Sequence, residues 1–90
     1  MKRVIADQRL ADALSAATGL PWGPDRDSIN VTAAAVSGRH RVTRSWRAGR
    51  VTLWDNAAHT FHHLGTFDGR GWEGRVAEAV REKLGLGVPQ

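Results

Sequence analysis

A two-layer α+β domain is predicted by three observations. An alanine-rich stripe at helical spacing lies near the start, four runs of alternating residues fill the middle, and a second stripe repeats every four residues near the end. Short connections between the four runs make the sheet an antiparallel meander, in the order helix, four strands, helix, with both helices on one face. Ninety residues form a single domain, 1–90, with material for one core.

The first helix is expected over residues 4–18, where Leu10, Ala13, Leu14 and Ala17 recur at the 3,4 spacing and Val4 or Ile5 extends the stripe. Asp7, Gln8, Asp12 and Ser15 fall largely off that face, and Gly19 followed by Pro21 ends the helix. The segment Leu20-Pro21-Trp22-Gly23-Pro24-Asp25-Arg26-Asp27 reads as a loop from its prolines and glycine. Trp22 is expected to fold back over the core edge as a lid on the first helix, a protruding interface anchor being the alternative.

Strands are expected over 29–36, 39–47, 50–56 and 59–67. The last helix runs from Trp72 to Leu84, where Trp72, Val76, Val80 and Leu84 repeat every four residues beside Ala77 and Ala79. Asp68-Gly69-Arg70-Gly71 delivers it and Gly85 closes it, while Arg75, Glu78, Arg81, Glu82 and Lys83 make a solvated face of mixed charge. The tail Leu86-Gly87-Val88-Pro89-Gln90 is expected to be loosely held.

Composition narrows the chemistry. No cysteine is present, so neither a disulfide nor thiolate-ligated zinc can hold the fold, and a reducing compartment fits. Thirteen Lys and Arg face nine Asp and Glu for a net charge of +4, and eleven of the thirteen are arginine. Arginine presents a planar fork of donors suited to phosphates, carboxylates and aromatic faces, which points to an anionic or polar macromolecular partner. Met1-Lys2-Arg3-Val4-Ile5-Ala6-Asp7 begins like a signal peptide but meets Asp7 before any apolar core develops. No run approaches the roughly 18 apolar residues of a membrane span. A soluble, cytoplasmic protein without a membrane partner is the expectation.

The stretch from Arg39 to Trp54 carries the most chemistry, with five arginines, a histidine and two tryptophans across two strands and a turn. Two-residue turns at Ser37-Gly38 and Ala48-Gly49 would pair Trp46 with Ile29 and Val51, and Val42 with Ala33. Ile29, Val31, Ala33, Ala35, Val42, Trp46, Val51 and Leu53 then share the core face. Arg39, Arg41, Thr43, Ser45, Arg47, Arg50, Thr52 and Trp54 share the other. A three-residue turn with a glycine bulge at Ala48-Gly49 would shift the third strand, but the hydrophobic pattern favours the two-residue form. In this register Arg47 and Arg50 lie opposite each other, and Arg44 falls on the core side within reach of Asp55 as a partly buried ion pair.

The expected site is this outer face: Arg39, Arg41, Arg47, Arg50 and Trp54, with His63 at its margin. Arginines neutralise phosphates or stack on bases, hydroxyls bond along a sugar-phosphate chain, and Trp54 offers a stacking plane. Alternating Thr and Arg is also the ordinary outer face of a sheet, so a protein partner stands beside nucleic acid. The function expected is a small non-enzymatic binding module, regulatory or inhibitory. It would act on a protein complex that handles nucleic acid, or on nucleic acid directly, without a cofactor or metal.

The alternative is an enzyme built on His59, His62 and His63. On a strand His59 and His63 share a face about 13 Å apart, and His62 points to the opposite face, so no pair chelates one ion unaided. No nucleophile elbow, phosphate loop or pair of carboxylates at a catalytic spacing accompanies them. Gly69-x-Gly71 opening a helix could receive an anion, but a plain turn accounts for both glycines.

In order of elements alone the chain resembles the double-stranded-RNA-binding domain. That family starts its final helix with lysines where this chain has Trp72-Glu73-Gly74-Arg75, and has a longer first hairpin loop where this chain has Ser37-Gly38. No residue role is carried over from it. Small, cysteine-free, single-domain chains of this kind are also common among phage-encoded inhibitors, including anti-CRISPR proteins, which share no motif.

Overall fold

The structure, a computed structural model, describes residues 2–86. Most of the expected loose tail, residues 87–90, lies outside the described residues. The element order is α1 (Arg3–Thr18), β1 (Gly23–Pro24), β2 (Val31–Ser37), β3 (His40–Ser45), β4 (Arg50–Asp55), β5 (Thr60–Thr66) and α2 (Trp72–Lys83). One antiparallel sheet runs β1-β2-β3-β4-β5 in chain order. The α+β class therefore holds, with five strands rather than four. The additional strand pairs Gly23 with Val36 and Pro24 with Ala35. Two residues are too few to show alternation, and an edge position tolerates proline.

α1 ends as its sequence dictates, with Gly19 in the left-handed region at φ 75° and its N–H donating to the Ser15 carbonyl. Ala6, Leu10, Ala11 and Leu14 turn inward, and small alanines let α1 approach β2 and α2 closely. α2 contributes Val76, Ala77 and Val80, with Trp72 and Leu84 packed at its ends. Ala33, Ala35, Val42, Val51 and Leu53 complete the core from the sheet. Burial of a leucine such as Leu10 or Leu14 contributes about 1.5–3 kcal/mol. Trp22 closes the end of this core as expected: its indole N–H donates to Thr18 Oγ1 at 3.0 Å and its backbone N–H to Ser15 Oγ at 3.0 Å.

The register differs from expectation. The first hairpin turns at Gly38-Arg39, pairing Ser37 with His40 and Val42 with Ala35 rather than Ala33. The second uses a four-residue loop, 46–49, with Ala48 at φ 57° and Gly49 at φ 60°, so Val51 pairs with Arg44 rather than Trp46. Each slip is two residues, which preserves the faces because strand side chains alternate with period two. Val42, Val51 and Leu53 are accordingly buried on the core face and Trp54 stands on the other.

Three assignments change sides. An irregularity between Val31 and Ala33 pairs Val31 with Ser45, and this bulge turns Val31 and Ile29 away from the core onto the outer face. Trp46 sits in the loop and is exposed, with the Arg47 guanidinium 4.7 Å from its ring centroid. Arg47 therefore does not oppose Arg50, which starts β4 opposite Thr66.

Arg44 is on the core side, but its partner is Asp68 and not Asp55. Its guanidinium donates to the Phe67 carbonyl at 2.9 Å, to Thr32 Oγ1 at 2.8 Å and to Asp68 Oδ1 at 2.8 Å, and stacks 4.7 Å from the Trp72 ring centroid. One arginine thus ties β2, β3 and the β5–α2 connection together.

Asp7, placed off the buried face of α1 by its polarity, is instead almost wholly buried. Its Oδ1 accepts the Ala34 N–H at 2.9 Å, and Arg3 and Arg26 flank the carboxylate. Beyond the two residues of β1, this carboxylate does the work of a neighbouring strand for β2. The Asp25 N–H donates to the Ala34 carbonyl beside it.

Candidate functional site on the outer sheet face

Both helices lie on the inner face, so the outer face is formed by alternate residues of β3, β4 and β5, with the 25–30 loop rising over one corner. Arg41 and Thr43 come from β3, Arg50, Thr52 and Trp54 from β4, and Phe61 and His63 from β5. Trp54 is directly opposite Phe61, and Thr52 opposite His63.

These pairings assemble an aromatic row. Trp54 and Phe61 have ring centroids 5.3 Å apart with planes tilted at 41°, and Phe61 meets His63 edge-on at 5.3 Å. Hydrogen bonds hold both ends: the Trp54 indole N–H donates to Thr43 Oγ1 at 2.9 Å, and Thr52 Oγ1 lies 3.0 Å from His63 Nδ1. The row is set in place yet open to solvent, with Phe61 52% and Trp54 37% exposed. Ile29 (78%) and Trp46 (57%) add further exposed apolar surface. A shallow depression lined by Ser28, Ile29, Val31, Arg41, Thr43 and Trp54 joins the row to the loop corner.

The expected basic residues divide into two groups. Arg39 lies in the first hairpin turn rather than on the sheet face, and it forms a bidentate pair with Asp55, Nε–Oδ1 2.9 Å and Nη2–Oδ2 2.8 Å. Arg41 is on the outer face, but its Nε lies 2.7 Å from Asp25 Oδ2. Arg47 and Arg50 are exposed and have no carboxylate partner among the described residues. The face is therefore less basic and more aromatic than the arginine count implies.

The two carboxylates that neutralise arginines are themselves perturbed. Burial opposes ionisation of Asp25, but bonds from the Ser28 hydroxyl, the Asp27 amide and the nearby Arg41 charge outweigh it and hold its pKa below the ordinary carboxylate value. The Asp55 carboxyl is pulled down to about 2, chiefly by the Arg39 bond and then by the backbone N–H of Ala58. A depressed carboxylate contributes stability that is present above the unfolded value and lost as pH falls through the folded one. The Arg39–Asp55 contribution is thus intact at neutral pH and disappears between about 4 and about 2. We expect Arg39→Ala to raise the Asp55 pKa toward 3.8, read by NMR titration of the carboxyl carbon, while neutral-pH stability changes little because the pair is exposed. An unmoved titration would show that the backbone amides alone hold Asp55 down.

His59, His62 and His63 do not converge on one another, although His62 lines a pocket with His40 and Asp55. His62 pairs with Leu53 on the inner side, His63 with Thr52 on the outer side, and His59 sits in the β4–β5 loop at φ 55°. Phe61 was absent from the expected site, although it lies two residues from His63 and so shares its face. Ile29 and Val31 join the face only through the bulge, which carries no sequence signal.

Fold and face together define a two-layer α+β domain whose antiparallel sheet carries helices on one side and an exposed aromatic row on the other. The chain matches no protein-family model, no curated protein and no solved structure.

Proposed function

We propose that this domain is a non-catalytic binding module, regulatory or inhibitory, that docks its outer sheet face on a protein complex that handles nucleic acid. The observation that carries this reading is the exposed, pre-positioned row Trp54–Phe61–His63, with Arg50 on the same face toward the 46–49 loop that carries Arg47. Aromatic side chains and arginines dominate the energetic centres of protein interfaces, the aromatics because they bury large areas with few rotatable bonds to fix and arginine because its planar fork makes several directed hydrogen bonds. Ile29 and Val31 beside Trp54 favour a protein surface over a nucleotide chain, since aliphatic groups offer no stacking plane. The dispersal of His59, His62 and His63 weighs against an enzyme built on those three together, because a general acid and base must reach the same reacting atoms; His62 instead lines a pocket with His40 and Asp55.

A second reading, direct binding of single-stranded nucleic acid, is favoured by one feature. Three ring systems in line with two unpaired arginines match the stacking platforms that hold successive bases.

The test is capture from a lysate, followed by identification and measurement of the isolated partner, with Arg47→Glu/Arg50→Glu and with Phe61→Ala. Each variant is expected to weaken binding at least tenfold, with thermal midpoints within a few degrees of the parent. Retained affinity in both would remove the outer face from consideration. Tryptophan fluorescence titration with single-stranded DNA and RNA separates the readings. Direct binding through Arg47 and Arg50 predicts micromolar quenching with a slope of about −1.4 in log K against log salt, whereas a protein target predicts no response.

A further inference from the structure

The two edges of the sheet are treated differently. At the β1–β2 edge, the Asp7 carboxylate and the Asp25 amide take up the main-chain groups of Ala34. At the other edge β5 runs seven residues, almost all exposed, with no lysine, no proline and no covering segment among the described residues; its one irregularity falls after His63, at Leu64-Gly65, and leaves Thr60–His63 regular. An uncovered edge of this length is a template for another strand.

We propose that β5 pairs with β5 of a second copy, antiparallel about a two-fold axis at His62, to make one sheet continuous across a homodimer. The ladder fixes the register. The Asn56 N–H donates to the Arg39 carbonyl, so Trp54 and Thr52 bond toward β3, and Leu53 and Asp55 bond toward β5. Leu53 faces His62 and Asp55 faces Thr60, which turns the N–H and C=O groups of Phe61 and His63 to the open edge. Placing Phe61 opposite His63 of the second copy, and His63 opposite its Phe61, satisfies all four groups at once. It also sets Phe61 against the ring type it already meets edge-on within its own chain, so the two aromatic rows join across the axis.

A strand edge alone is small for a stable dimer, and α2 supplies the second layer. α2 runs antiparallel to β5, with Lys83 near His62 and Ala79 near Leu64, along a groove lined by His63, Leu64, Ala79, Glu82 and Lys83. An axis at His62 brings the C-terminal turns of both α2 helices together. Glu82 of each copy then faces Lys83 of the other, a complementary rather than a repulsive contact. The main-chain pairing does not rest on what the outer face binds, although Phe61 and His63 belong to both surfaces.

Sedimentation velocity from 10 to 500 μM tests the association, and amide hydrogen exchange locates it. We expect a concentration-dependent dimer in which the Phe61 and His63 amides gain at least tenfold protection. His62→Lys sets like charges opposite each other at the axis, and should leave a folded monomer by circular dichroism. His62→Cys introduces a lone cysteine at the axis and should give a disulfide-linked dimer with oxidised glutathione, whereas Arg9→Cys should not. A parent that stays monomeric at 500 μM, or a dimer whose Phe61 and His63 amides exchange freely, would overturn the proposal.

Discussion

Gly49→Ala is expected to destabilise the domain by about 3 kcal/mol or more, while Ala48→Gly, one residue away, is expected to be neutral or mildly stabilising. The two residues share nearly the same backbone, at φ 57° and φ 60°, so left-handed strain alone predicts only a modest difference between them. The environment separates them. A Cβ on Gly49 would lie 2.5 Å from Asp68 Oδ1, 2.6 Å from Arg44 Nη2 and 2.9 Å from the Phe67 carbonyl oxygen. Those three atoms form the Arg44 junction, and the Gly49 carbonyl also accepts the Phe67 N–H at 3.0 Å. The added methyl must displace the guanidinium while leaving its charge half-enclosed, which is the costly way to break such a network. In urea the midpoint should fall by roughly 2 M for Gly49→Ala, at ordinary slopes for a small domain. Similar small shifts for both variants would mean that the loop relaxes away from Arg44.

This junction shows why some of the structure was legible and some was not. Helices were readable because their stripes, Leu10 with Leu14 and Val76 with Val80, are local patterns of period 3.6. Strand faces were readable for a similar reason: a slip of two residues leaves the alternation intact, so Val42, Val51, Leu53 and Trp54 kept their sides under an incorrect register. Loop length was not readable. Ala48-Gly49 suits a tight turn chemically, and the close approach of Arg44, Phe67 and Asp68 to Gly49 in the longer loop joins residues that no local pattern connects. The bulge near Thr32 was equally hidden, and it moved Ile29 and Val31 from the expected core to the outer face.

The outer face was legible in outline through Trp54, His63 and Arg50, whereas Arg47, expected on the sheet, lies in the 46–49 loop. Its charge was overread, because pairing with Asp25 and Asp55 depends on residues 16 positions distant that period and composition do not connect to the arginines. Phe61 was within reach of the same alternation that placed His63.

Asp7→Ala is the second change expected to be severe, at about 3 kcal/mol, against about 1 kcal/mol for Asp7→Asn. Alanine leaves the buried Ala34 N–H without an acceptor and removes the counter-charge of Arg3 and Arg26. Asparagine keeps an acceptor for Ala34 but loses the charge and sets an NH2 donor where Oδ2 accepted from Arg26; Arg26 is half exposed, so it can turn to solvent and recover part of what is lost. The consequence reaches the outer face. Arg3, beside Asp7 on α1, also donates to the carbonyls of Ser28 and of Asp25, the latter at 2.8 Å, and so fixes the loop whose Asp25 side chain holds Arg41. With Asp7 gone, β2 loses its edge cover and the loop corner of the binding face loses its support together. Amide exchange at Ala34 should accelerate in Asp7→Ala and stay near the parent rate in Asp7→Asn, with thermal midpoints falling by roughly 15 °C and 5 °C. Equal losses in the two variants would place the stabilisation in the charge of Asp7 and not in its bond to the strand.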